Sequence, residues 1–406
     1  MWRRAKILAG LSLASWMGAV TADASQMVEH TDVAVIGAGP AGLAVGACLR
    51  QAGLNFIILE RDQKVASSWH RHYERLHLHT VKQLSCLPYV PFPAAYPRYV
   101  PRNLVIEYLD RYVAKFDLKP RFGDAARSVC RDGNDWRIQG TSSSISAPYV
   151  VVASGFNSEP VIPSIPGMEK FRGKLIHSAA YANATPFADQ SVLVIGMGNT
   201  GAEVALDLSE GGARTSISIR NGVHIVPRDL FGVPIQLVAM LATRVLPSAA
   251  SETLFPRILD LALGDLSKHK IRRPREGILR QVATSAKIPV IDVGTVRKIS
   301  EGAIRIEPGI SSITEDGAIF CGGGEGKFDA IIFATGYRPN YRSFLQADDI
   351  KNPKDYPPAR QNTDSTIYFV GFKNSVAGLL RQISREAVQV AHDIVRRRSE
   401  SSPPAG

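Results

Sequence analysis

One local device, present twice, limits the folds open to this chain of 406 residues more than any other feature. Residues 32–45 read DVAVIGAGPAGLAV, and residues 191–203 read SVLVIGMGNTGAE. In each, a four-residue apolar run suits a strand buried on both faces, and a glycine-rich turn then opens a helix. The first helix is expected over 40–50, stopped by Gly53; the second reaches Glu210 and stops at Gly211 and Gly212. The spacing is G-x-G-x-x-G both times. The first glycine permits the tight turn, the second lets backbone approach a pyrophosphate, and the third lets helix and strand pack closely. Candidate dinucleotide contacts are therefore Gly37, Ala38, Gly39, Pro40, Ala41 and Gly42 at the first turn. At the second they are Gly196, Met197, Gly198, Asn199, Thr200 and Gly201.

The copies differ where each following strand ends. The strand expected at 55–59 runs into Glu60, whereas the one at 216–219 runs into Arg220. A carboxylate there accepts from a ribose 2′-hydroxyl, while a forked guanidinium suits a 2′-phosphate. The first site thus reads as FAD-binding and the second as NADPH-binding. Between the copies, residues 61–80 are irregular and hold His70, His72, His77 and His79. No cysteine or acid completes a tetrahedral zinc set there. The segment is expected to lie against the first cofactor, so Arg61, Trp69 and Thr80 join its candidate contacts, with Trp69 as a flat surface beside the flavin ring.

The rest of the chain supports an α/β fold of two Rossmann-like dinucleotide-binding domains. Five prolines between 88 and 101, interleaved with Tyr89, Phe92, Tyr96 and Tyr99, predict a stiff loop that walls an aromatic pocket. A helix is expected over 103–116 and strands over 136–138 and 149–153. Pro160, Pro163 and Pro166 then mark a domain crossing. A mostly apolar piece at 237–246 reads as helix, and 304–306 and 318–320 as short strands. The basic run 268–275 reads by default as a solvated loop, with guidance of an acidic substrate as the alternative. The strand in 328–337, the strand 367–370 and a helix from Leu379 are read as a return to the first domain. The expected division is an FAD domain split over 27–166 and 324–398, an inserted NADPH domain over 167–323, and a disordered tail at 399–406.

The net charge of +11 does not imply nucleic acid, because no basic run is interleaved with aromatics. The longest cluster, Arg396 to Arg398, ends a helix, and the excess cation suits anionic cofactors and acidic substrates. Cys48, Cys86, Cys130 and Cys321 contain no C-x-x-C pair, so neither a dithiol centre nor a zinc ribbon is suggested. Residues 1–26 carry Arg3, Arg4 and Lys6 before a 14-residue apolar run at 7–20, with Ala22-Asp-Ala24 behind it. That is the layout of a secretory signal and too short for a usual membrane span. Export, shallow anchoring through this segment alone, and a true start at Met27 stay open. A need for cytosolic NADPH favours a cytoplasmic catalytic body.

With these residues in view, the chain resembles the class B flavin-dependent monooxygenases, most closely the plant YUCCA-type enzymes. Phe171-x-Gly173-x-x-x-His177-x-x-x-Tyr181 matches their identifying motif, and Ala334-Thr-Gly-Tyr337 matches their A-T-G-Y element. The resemblance runs from about 31 to 395. It departs at Gly378-Leu-Leu-Arg381, at Gly371-Phe372 where many flavoproteins have Gly-Asp, and at Ser154. It implies an NADPH- and O2-dependent monooxygenase working through a C4a-(hydro)peroxyflavin. The implied reaction is oxidative decarboxylation of an aromatic 2-oxo acid such as indole-3-pyruvate. N- or S-oxygenation, Baeyer–Villiger insertion or plain flavin reduction are the alternatives. No side-chain nucleophile is needed, since the cofactor carries the chemistry.

Overall fold

Strands β1 (Val33–Ile36), β2 (Phe56–Glu60), β3 (Arg121–Phe122), β4 (Tyr149–Val152), β5 (Lys174–His177), β6 (Ser191–Ile195), β7 (Arg214–Ile219), β8 (Ile304–Pro308), β9 (Ala330–Phe333) and β10 (Ile367–Phe369) build two sheets. The computed structural model describes residues 27–245, 257–285, 287–345, 366–375 and 377–401. One sheet runs β10-β4-β1-β2-β3 and the other β5-β9-β6-β7-β8, and every pairing in both is parallel. All four residues of β1 are buried, as a strand covered on both faces requires. In each sheet the strand before the glycine turn (β1 or β6) sits between the strand that follows it and one from much later in the chain. That is the point where strand order reverses and ligands bind in such sheets.

Each sheet is covered in the same way. Helices α1 (Pro40–Gln51), α3 (Arg102–Lys115) and α7 (Leu379–Ser401) pack on one face of the first sheet. The antiparallel strands Ser128–Asp132, Asp135–Gln139 and Ser144–Ala147 cover the other face through Trp136, Ile138 and Ile145. Helices α4 (Asn199–Glu210) and α6 (Thr295–Ser300) cover the second sheet on one side. The meander Ile310–Ile313, Gly317–Phe320 and Glu325–Lys327 covers the other. Two further helices are α2 (Ser67–Arg71), which packs on the first lobe beside α3, and α5 (Ile235–Val245), whose Gln236 bonds Val81 and Ala377 of the first lobe. Each lobe is therefore helix, parallel sheet and meander in three layers.

The two connections between the lobes hydrogen-bond to each other. Tyr337–Arg338 pairs antiparallel with Glu159–Pro160, Val161 N donates to Gly336 O at 3.0 Å, and the Thr335 hydroxyl donates to Val161 O. The identifying motif lies beside this ribbon. His177 Nδ1 accepts from Ala179 N at 3.1 Å, so Nε2 carries the proton and donates to Gly336 O at 3.1 Å. Burial holds this imidazole below its usual pKa, consistent with a neutral ring.

Three expectations are corrected. The strand in 328–337 does not return to the first lobe: β9 lies between β5 and β6 in the second sheet. A short buried apolar strand suits the centre of either sheet, and its pairing is decided by the meander that delivers it. The proline–aromatic loop does not wall the cavity either. Its Phe92 packs against Tyr108 of α3 with ring centroids 4.1 Å apart, and the Tyr108 and Tyr112 hydroxyls donate to Val90 O and Pro88 O. The helix also continues into the expected tail as far as Ser401, where Glu400 pairs with Arg396 one turn back at 3.0 Å. Residues 1–26 and 402–406 lie outside the described residues. Among the described residues no helix is long and apolar enough to cross a membrane.

The three glycines of each turn do different work. A Cβ on Gly42 would lie 1.8 Å from Gly37 O, and one on Gly201 would lie 2.0 Å from Gly196 O; a Cβ on Gly198 meets nothing within 4 Å. Gly201→Ala should therefore destabilise the fold by about 1–3 kcal/mol or more through overpacking. Gly198→Ala should change stability by about 0.5 kcal/mol or less. Urea titration of both variants checks the contrast.

Candidate active site between the two glycine turns

A cavity of about 930 Å³ reaches from the carboxyl ends of the first sheet to the first turn of α4. Such a volume suits a large organic ligand. At one end it is lined by Gly37, Gly39, Pro40, Ala41, Glu60 and Arg61, and at the other by Asn199 and Thr200. Trp69 and Thr80 line the stretch between. Ala38 and Gly42 are buried behind the turn and shape it from within. Gly196, Met197, Gly198, Gly201 and Arg220 lie outside this cavity's wall. Arg220 is exposed at the end of β7 and packs against Gly309.

The first turn has the form an anionic dinucleotide needs. Helix α1 starts from Gly39 with no side-chain cap and no acid in its first turn, and α4 starts from Gly198 in the same way. Uncapped N–H groups at a helix start suit phosphate. A Cβ on Gly39 would meet no protein atom within 4 Å, so the open space beside it lies on the cavity side. Glu60 is 8% exposed; its Oε2 accepts from Ala38 N at 2.7 Å and its Oε1 from Asp62 N at 2.9 Å. Each carboxylate oxygen retains a lone pair for a ligand hydroxyl. The residues present fit a flavin dinucleotide at this turn.

One predicted contact is spent elsewhere. Asn199 Oδ1 accepts from Ile291 N at 2.7 Å and its Nδ2 donates to Pro289 O at 3.2 Å, so the side chain pins the strand Val290–Asp292. The basic run does not reach the cavity: none of residues 268–275 lines it, and Arg273 pairs with Asp260 at 2.7 Å.

Other lining residues were not legible as such. Gln236 of α5 is buried, accepts from Val81 N at 3.0 Å and donates to Ala377 O, joining three distant segments at the wall. The four histidines diverge. Nε2 of His79 lies 2.6 Å from Oε1 of Glu203, whereas Nδ1 of His77 meets Arg75 O at 2.5 Å. His72 and His70 are held below the usual imidazole range, by burial first and then by neighbouring cations. Tyr73 is 3% exposed and lies against Glu203 and Thr200. Burial, then the Glu203 charge, pushes its phenol well above its usual value, so it stays protonated.

Where many flavoproteins have Gly-Asp, Phe372 turns into the core against Tyr341 and Phe369. The acid there comes from α7 instead: Glu386 Oε2 accepts from Gly371 N at 2.9 Å. Burial raises the Glu386 carboxyl, so folding favours its protonated form. That stabilisation is present at low pH and is lost as pH rises through the raised value. Glu386→Gln keeps an acceptor for Gly371 N without a buried charge. At pH 8 it should be the more stable protein by about 0.5–2 kcal/mol. The gap should close below pH 4.5, and urea melts at both pH values check this.

Residues 30–355 match the family described as flavin-binding monooxygenase-like. The chain is 36% identical over 368 residues to a probable indole-3-pyruvate monooxygenase, YUCCA4, of Arabidopsis thaliana, covering 89% of each chain. It is 38% identical over 369 residues to the indole-3-pyruvate monooxygenase YUCCA1 of Oryza sativa subsp. japonica, covering 89% of this chain and 90% of that one. Among solved structures, a flavin-containing monooxygenase from Stenotrophomonas maltophilia superposes with a TM-score of 0.70 at 23% identity, over 91% of this chain and all of that one. An oxidised steroid monooxygenase bound to NADP gives 0.75 at 18% identity, over 92% and 86%. These last two likenesses are of fold.

Proposed function

The chain belongs to the flavin-binding monooxygenase-like family, with FAD and NADPH as its cofactors, and from that premise we propose that it oxidatively decarboxylates an aromatic 2-oxo acid such as indole-3-pyruvate. The observation that carries this reading is a cavity that runs from the first glycine turn to Asn199 and Thr200 at the start of α4, in a chain 36–38% identical over most of its length to indole-3-pyruvate monooxygenases. Bound FAD supplies oxygen activation and NADPH the two electrons.

The chain's own residues bind, orient and exclude water. The lobe of Gly37 takes FAD: the first turn of α1 faces the pyrophosphate, Glu60 accepts from the ribose, and Arg61, Trp69 and Thr80 continue the contact surface. The lobe of Gly196 takes NADPH, with Arg220 clamping the 2′-phosphate. Apolar lining from Leu78, Ile235, Ala239, Val282 and Leu379 keeps water from the reacting atoms. Tyr73 presents a protonated hydroxyl on the same wall. The four cysteines are all free, which suits a reducing compartment and a cytoplasmic catalytic body.

Supplying indole-3-pyruvate with NADPH and O2 should release CO2 and yield the arylacetic acid. Oxygen gain by an amine or sulfide without CO2 release would point to oxygenation of a soft atom instead. Two variants test the cofactor assignment. Gly39→Ala should fold normally yet lose FAD on purification, and a fully yellow variant would refute it. Arg220→Ala should weaken NADPH by about 1.5–3 kcal/mol, roughly ten- to a hundredfold in KM, and leave NADH nearly unchanged.

A further inference from the structure

Residues 73–82 belong to the first lobe by chain order but are held by both lobes. Tyr73 is buried within the hydrophobic cluster of the second lobe, beside Tyr181, Met197 and Val204, and Leu76 packs on that cluster from its edge. Glu74 N donates to Ala182 O at 2.9 Å, and Arg75 pairs with Glu210 of α4. From Leu78 onward the segment is anchored in the first lobe. Leu78 joins its core and donates its N–H to Val100 O at 2.8 Å, and Arg102 N donates to Leu76 O at 2.8 Å. The segment is a strap laid across the cavity wall from one lobe to the other.

One charged group sits under this strap. Glu203, in the second turn of α4, is 2% exposed. Its Oε1 lies 2.6 Å from Nε2 of His79 on the first-lobe half of the strap, a close contact in which neither buried atom completes an aligned hydrogen bond. The Tyr73 phenol, on the second-lobe half, lies against the same carboxylate. A buried carboxylate without partners is costly, so closure of the strap over Glu203 depends on the groups it brings there, the His79 ring and the Tyr73 phenol. Thr200, one turn earlier on the helix, lines the cavity together with Tyr73 and His79.

We propose that Glu203 is a positioning residue for the reaction, its carboxylate latching the strap at Tyr73 and His79 onto α4 and so setting the distance between the two dinucleotide turns. The proposal rests on the assignment of FAD to the first turn and NADPH to the second. Electron delivery between them needs close approach, and misplacement by about 1 Å costs on the order of a hundredfold in rate. Glu203 has no part in gripping either dinucleotide, so its loss should slow transfer without weakening binding.

The test uses the FAD-loaded enzyme and anaerobic rapid mixing with NADPH. Glu203→Gln should keep its flavin absorbance per protein and its NADP⁺ affinity within threefold of wild type. Flavin reduction at saturating NADPH should fall at least tenfold, and amide exchange across residues 73–82 should quicken. His79→Gln, which alters the wall rather than the helix core, should do the same and serves if Glu203→Gln fails to fold. The double variant should be no slower than the slower single one, and Glu203→Asp should recover part of the rate. Reduction within twofold of wild type, or equal losses in rate and NADP⁺ affinity, would overturn the latch. Wild-type enzyme that NADPH does not reduce would overturn the cofactor assignment itself, and the latch with it.

Discussion

Everything in this structure depends on how closely a helix can approach the turn that launches it. At Gly42 and again at Gly201 the helix backbone rests against the carbonyl of the turn's first glycine, at a distance that excludes even a methyl group. That contact sets each helix start over the carboxyl end of its strand, where strand order reverses. It leaves the uncapped N–H groups of α1 facing a cavity and fixes where the next strand must end, at Glu60 or Arg220. The remaining layers cover the sheets and bring the two turns into one molecule.

Because these contacts are local, they were legible in the sequence. The glycine spacing, the apolar run before it and the residue ending the next strand lie within about 30 residues of each other, and short-range sterics decides them. Both helix starts and the strands on either side of each turn followed from that reading, and Gly37, Gly39 and Glu60 line one cavity.

What was not legible depends on partners far along the chain. The run AIIF at 330–333 carries no mark of which sheet it will join. Aromatics among prolines fit a ligand wall as well as a core, and only α3, with Tyr108 and Tyr112 facing them, decided for the core. Asn199 sits where a ligand contact is expected, yet a strand 90 residues later takes both ends of its amide. Nothing in the sequence marks Glu203, the last residue of the second quoted stretch, as a buried acid. Its burial follows from His79 and Tyr73, more than 120 residues earlier, and no local pattern announces such an encounter.

The paired connections at Glu159–Pro160 and Tyr337–Arg338 carry a mechanical consequence. Two independent tethers would let the lobes twist, slide and separate in many ways. Strands bonded side by side flex and coil together, but they cannot shear past each other without breaking the bonds at Val161 and Thr335. The ribbon therefore resists sliding of one lobe along the other, and the strap at residues 73–82 ties the lobes at a second place.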